Sequence, residues 1–217
     1  MTAEPNCNTM NDTPPPYATW LVLAIYTFIA ALCALLWWRG QIPFPFLGSD
    51  AGDIASLAVA WLDSGRFRGD LLLEDWEAYR FYVTLQIPLL IALSYVFGDV
   101  GTAYVALLAP SILLHALGLY LLGRELLKHW WEAALLGLLG FGTVSLTIDY
   151  YGTYVDAQPR LMFQSVLPFL WIASLRLANR PRLWPILFAA HGLTMYLHSV
   201  SAPAVAFASL LALGGTR

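Results

Sequence analysis

The chain has 217 residues, of which 59% are hydrophobic and only 12% charged, and its mean hydropathy is +0.64. Soluble domains carry about 25% charged residues, so the composition argues against a soluble globular enzyme and against a disordered chain. A net charge of −3 supplies no basic field to hold a polyanion, and no nucleic-acid partner is expected.

Residues 1–17 contain Glu4, Asp12 and Pro14-Pro15-Pro16 but no Lys or Arg. They read as a disordered tail without the basic region that opens a secretory signal. The apolar run 18–38 has 21 residues, close to the ~20 needed to cross ~30 Å of hydrocarbon. It ends in Trp37-Trp38-Arg39, an interfacial anchor, and predicts a retained span. Cys7 lies in the polar tail and Cys33 inside the apolar run, so no disulfide is expected.

Residues 39–81 form the one long hydrophilic stretch. Asp50, Asp53, Asp63, Asp70, Glu74, Asp75 and Glu77 are half of the chain's fourteen acids. Within it, Ile54, Leu57, Ala58, Trp61 and Leu62 recur at i, i+3, i+4, i+7 and i+8. That spacing predicts an amphipathic surface helix over 51–64, stopped by Gly65. Residues 82–97 are apolar but number only 16 and contain Pro88, as in a short span or a re-entrant helix.

Residues 100–123 are long enough to cross, followed by a polar turn holding Arg124, Glu125, Lys128, His129 and Glu132. Residues 133–148 cross again, 149–160 form a polar loop, and 161–175 return. A basic turn with Arg176, Arg180 and Arg182 follows, then a span over 183–197, a turn over 198–203 and the start of another span over 204–213. The expectation is an all-α, polytopic transmembrane helix bundle over 18–217 with about six spans. One re-entrant helix and one surface amphipathic helix accompany them, and neither an internal repeat nor a soluble domain is visible.

The excess of Arg and Lys at 124–128 and 176–182 predicts that these turns are cytoplasmic and that 149–160 and 198–203 face outward. The first loop divides the rule. If 82–97 crosses, the loop is inside and its Arg39, Arg66, Arg68 and Arg80 satisfy the rule, so charge favours that option. If 82–97 only dips, the loop is outside with the other polar loops.

Asp50 and Asp53, one helical turn apart at a membrane surface, have the spacing to hold a divalent metal or act as a base. The same spacing suits a helix start, with Asp50 as N-cap and Asp53 in the first turn. Asp149, Asp156 and Arg160 share a loop with Tyr150, Tyr151 and Tyr154, a cluster suited to a sugar or phosphate head group, or an ordinary interfacial tyrosine belt. His198 at a span end has the chemistry of a ligand, base or phosphate donor, or caps the last carbonyls of a helix. His115, Gln164 and His191 lie in apolar runs, where polar residues are costly and either functional or bonded between helices. Phosphate-loop, His-Glu-x-x-His, Cys-x-x-Cys and Gly-x-Ser-x-Gly patterns are absent from the sequence.

An anchor span precedes a loop with an acidic pair and a surface helix. Then come Gly65-Arg-Phe-Arg-Gly-Asp70, Tyr79-Arg-Phe-Tyr82 and a Pro-containing apolar helix. Leu119-Tyr-Leu-Leu-Gly-Arg-Glu-Leu126, Asp156-Ala-Gln-Pro-Arg160 and His198-Ser-Val-Ser-Ala-Pro203 follow. In order and spacing, over roughly 18–213, this resembles the N-terminal half of GT-C-type membrane glycosyltransferases, in particular uncharacterised bacterial membrane proteins of that kind. The resemblance implies an integral, multi-pass protein of the bacterial cytoplasmic membrane that transfers a sugar from a polyprenyl-phosphate-linked donor on the outer face.

It further implies Asp50 or Asp53 as the catalytic base or as the ligand of a divalent metal, the cofactor otherwise being unknown, and a second acidic group at Asp149 or Asp156. Tyr154, Arg160 and His198 would join them in holding the donor. It places the first loop outside, with 82–97 dipping. Such enzymes are longer, so the chain is expected to be a piece of a longer protein. The alternative is a non-catalytic polytopic protein, a transporter component or scaffold, in which His115, Gln164 and His191 carry the weight. The inverted halves expected of a transporter are not visible.

Overall fold

The computed structural model describes residues 13–39, 49–71, 73–74, 84–142 and 159–215. Among them the regular secondary structure is all helical, without strands. Its helices are α1 (Pro16–Arg39), α2 (Ser49–Leu62), α3 (Gln86–Phe97), α4 (Val100–Ala106), α5 (Leu108–Leu126), α6 (Trp130–Gly142), α7 (Pro159–Leu177), α8 (Trp184–Thr194) and α9 (Ser201–Gly215). Among the described residues two stretches are long and apolar enough to cross a membrane, Pro16–Leu36 and Val100–Leu126. α1 is apolar all round, and Trp20 and Phe28 on its outer face are 72% and 68% exposed. A helix of that kind needs an apolar surrounding on its outer side.

α5 is the centre of the bundle, packed by α1, α6 and α7. Its register with α7 is parallel. His115 meets the carbonyl of Gln164, Gly118 faces Pro168 and Phe169, and Glu125 pairs with Arg176. α6 runs the other way: Gly123 lies against Ala133, and Gly140 against Leu119 and Ala116. α1 is also antiparallel to α5. Tyr26 stacks edge-on against Tyr120 at 6.4 Å, while Ala31, Ala34 and Leu35 share a cavity of about 300 Å³ with Thr102, Val105 and Ala109.

These registers define two ends. α1 and α6 finish, and α4 and α7 begin, at what we call the polar-loop end. α5 and α7 finish together at the basic-turn end. α3 stays in one half of the bundle. Leu85, just before it, donates its N–H to the Tyr196 carbonyl at 2.7 Å, and Phe97 at its other end lines the cavity beside Leu35 and Thr102. α2 lies on α3 and α4, at the same end.

The local chemistry explains most boundaries. Asp99 caps α4 by accepting from the Thr102 N–H at 2.8 Å. The stretch over 100–123, expected to be long enough to cross, is so, and it runs as two helices that meet at Leu107. Pro110 supplies no N–H to Ala106 and its ring crowds that carbonyl. α6 opens with a side-chain cap in which Glu132 accepts from the His129 N–H at 3.2 Å.

α2 ends at Leu62, before Gly65, and a 3-10 turn over Ser64–Phe67 follows, so Gly65 is not the expected stop. Among the described residues the left-handed glycines are Gly69 (φ 87°) and Gly98 (φ 88°), the second closing α3. Of the predicted α2 stripe, Ile54, Leu57 and Ala58 are buried but Trp61 and Leu62 are exposed. Ala51, Ala55 and Ala60 complete the inner face. That face packs on α3 and α4.

Candidate functional site

The polar-loop end gathers the N-terminal turn of α7, the 195–200 turn and the start of α3. Arg160 is the second residue of α7 and half-buried. Phe163, three residues on and thus on the same helix face, is buried with its ring 6.4 Å from the His198 ring. Arg160 and His198 therefore belong to one corner. Gln86, fully buried, opens α3 in the same corner, one residue after the Leu85–Tyr196 bond. Gln86 belongs to none of the motifs in the sequence. The signal that marks it is a lone amide at the head of an apolar run, two residues before Pro88.

His198 has a defined local duty. Its Nδ1 accepts from the Ser201 backbone N–H at 3.2 Å and lies 2.8 Å from Ser201 Oγ. A nitrogen that accepts an N–H carries no proton, so the proton of the neutral ring is on Nε2. The ring thus caps the start of α9 rather than the last carbonyls of the preceding helix. Pro203 is tolerated in that first turn because its missing N–H would have no intrahelical partner.

Asp53 is exposed on α2 at the same end of the bundle. α2 begins at Ser49, so Asp50 is inside its first turn and is not the N-cap. The side chain of Asp50, and the whole of Asp149, Tyr154 and Asp156, lie outside the described residues. Among the described residues no three His, Cys, Asp or Glu side chains gather to hold a metal.

Part of the acidic loop has structural work. Asp70 Oδ1 accepts from the Leu73 N–H at 3.0 Å, and Glu74 Oε2 from the Gly69 N–H at 2.8 Å, a reciprocal pair that ties 69–70 to 73–74. Asp63 sits 3.9 Å from Arg66, an exposed pair of little energetic weight.

The polar residues in the apolar runs have separate fates. The His115 ring donates from Nδ1 to the Gln164 carbonyl at 3.0 Å. That carbonyl is the one left without a helix donor by Pro168, which has no N–H to give four residues on. Gly118 makes room for the Pro168 ring, since a Cβ there would lie 3.0 Å from Pro168 Cβ. His191 is buried at 1% exposure, tilted 35° to the Phe188 ring, and neither of its ring nitrogens has a hydrogen-bond partner among the described residues.

At the opposite end, Arg176 Nε donates to Glu125 Oε1 at 3.1 Å, with a second, shorter bond from its terminal nitrogen. The hydrogen bond and the charge of Glu125 raise the Arg176 pKa above its ordinary value. Compared with known protein families, curated proteins and solved structures, the chain shows no significant match to any.

Proposed function

We propose that the chain is a multi-pass membrane protein of about six spans, with α3 re-entrant and α2 on the surface, and that it is a module for glycosyl transfer from a polyprenyl-phosphate-linked sugar. The observation that carries this reading is the register of the bundle. α5 and α7 are parallel, so the turns rich in Arg and Lys fall at one end. α1, α2, α3, Arg160 and His198 meet the other. With the basic turns in the cytoplasm, the polar-loop end faces outward, where a lipid-linked donor would be used.

In this reading the acceptor hydroxyl attacks the anomeric carbon of the donor. The bond from that carbon to the phosphate oxygen breaks, and polyprenyl phosphate leaves with the electron pair. Asp50 or Asp53 takes the hydroxyl proton, and Arg160 holds the phosphate by charge-assisted hydrogen bonds. His198, engaged through Nδ1 with Ser201, acts as a positioning residue that sets the turn beside Arg160. Asp149, Tyr154 and Asp156 would line the sugar side. A divalent metal, if used, would be held by Asp50 and Asp53.

The test is sugar transfer from a polyprenyl-phosphate donor in membranes containing the full chain. Replacing both Asp50 and Asp53 by Ala is expected to lower the rate at least a hundredfold. Transfer at the unaltered rate in that double variant would contradict the assigned roles. The non-catalytic reading has one observation in its favour, the buried His191 without a hydrogen-bond partner among the described residues. It predicts no transfer at all and a loss of solute flux or partner binding in His191→Leu.

A further inference from the structure

A groove of about 440 Å³ opens between α5, α7 and α9 at the basic-turn end. Leu122 and Leu126 of α5, Trp171 and Leu175 of α7, and Ala212 and Leu213 of α9 line it. From Trp171 to Ala178 it follows two turns of α7, about 10 Å. Its volume is that of ordinary ligand sites, roughly 300–1,000 Å³. Its wall gives a ligand little to bond with. Of the two hydroxyls along it, Ser174 Oγ already donates to the Leu170 carbonyl at 2.8 Å, and Ser209 is buried. The interior is therefore built for an alkyl chain.

The turn that follows the groove residue Ala178 is basic. Arg124, Lys128, Arg176, Arg180 and Arg182 stand at this end against Glu125 and Glu132. Glu125, next to Leu126, is taken up by Arg176, next to Leu175, so its negative charge is matched at the rim. Arg180 follows the groove residue Ala178 by two positions, and Arg182 lies in the 3-10 turn Pro181–Leu183. Both are exposed, and neither makes an ion pair with a described residue.

We infer that the groove holds an acyl chain of an anionic phospholipid whose phosphate is bound at the mouth by Arg180 and Arg182. A second protein helix laid in the groove would bring an apolar surface to the same cations and leave them unmatched, whereas a phospholipid brings both chemistries in the right order. The inference rests on the membrane reading proposed above. It adds that the basic turns are a binding site as well as a topological signal, on the leaflet where anionic lipids concentrate.

The test uses the full chain in detergent, titrated with phosphatidylglycerol, phosphatidylcholine of the same chains, and inorganic phosphate. Phosphatidylglycerol is expected to bind about tenfold to thirtyfold more tightly than phosphatidylcholine, with each cation near the phosphate adding about a factor of five. Arg180→Gln/Arg182→Gln should abolish the preference, and Ala212→Trp, which fills the groove, should weaken both lipids. Equal affinity for the two lipids, an unaltered preference in the double Arg variant, or saturation by inorganic phosphate alone would overturn the site. Extraction of the chain from cell membranes by carbonate would instead overturn the membrane reading, so the two failures are distinguishable.

Discussion

His198 and His115 show how little a residue's type says about its task. Both are histidines near or within apolar runs, and both are engaged through Nδ1. One accepts a helix-opening N–H, and the other donates to a carbonyl that proline has orphaned. For His198 the consequence is a stability effect with a chemical signature. His198→Ala should lower the unfolding free energy by about 0.5–2 kcal/mol, and His198→Asn, whose side chain can also cap, should recover most of it. Thermal unfolding of the purified chain checks this. Equal losses in the two variants would remove the capping role.

The sequence makes the corner of Arg160 and His198 legible as a pair of polar loop residues. It does not reveal the cap, because capping the start of a helix depends on where the next helix begins, and Ser201 carries no mark of that. Gln86 is equally hidden, since one amide in an apolar run weighs little in any hydropathy window.

At the scale of the element, prolines and glycines decide the packing. Pro168 frees the Gln164 carbonyl, His115 satisfies it, and Gly118 admits the ring. These three positions act as one unit across α5 and α7. His115→Ala alone should cost about 1–3 kcal/mol, because it leaves a buried acceptor without a donor. In a Pro168→Ala background the restored N–H reclaims that carbonyl, and the same His115→Ala change should cost distinctly less. A double-mutant cycle on unfolding free energies reads the coupling, and simple additivity would refute it.

Gly123 has a comparable role between α5 and α6. A Cβ there would stand 2.8 Å from the Ala133 Cα, a backbone atom that cannot swing away. Gly123→Leu should therefore destabilise by about 1–3 kcal/mol through overpacking, measurable by the same thermal assay. Helix existence is legible from the apolar runs and their polar punctuation. The inner face of α2 is legible only in part. The stripe rightly puts Ile54, Leu57 and Ala58 inside but also expects Trp61 and Leu62 there, and it leaves out the small Ala51, Ala55 and Ala60 that complete the face.

For the whole molecule, the informative quantity is which ends of which helices lie together. Charge counting along the sequence leaves the first loop divided, because the test is whether α3 crosses, and a 12-residue helix with a proline does not say. The tertiary contacts put both ends of α3 beside neighbours of the polar-loop half: Leu85 bonds to Tyr196, and Phe97 lines a cavity with Leu35. The parallel register of α5 and α7 is open to a direct check in a chain without Cys7 and Cys33. Cysteines at 125 and 176 should join readily through a short bifunctional reagent, and cysteines at 125 and 160 should not. Linking of the second pair in preference to the first would mean that the helices are antiparallel.

The account depends most on the two ends lying on opposite sides of a membrane, with the acidic loop outside. Leu71, at 96% exposure, and Lys128, also exposed, report on the two ends. Single cysteines placed there in the cysteine-free chain should react differently with a membrane-impermeant maleimide on intact cells. The account predicts that residue 71 is labelled at once and residue 128 only after permeabilisation. Labelling of 128 with protection of 71, or equal labelling of both on intact cells, would contradict it.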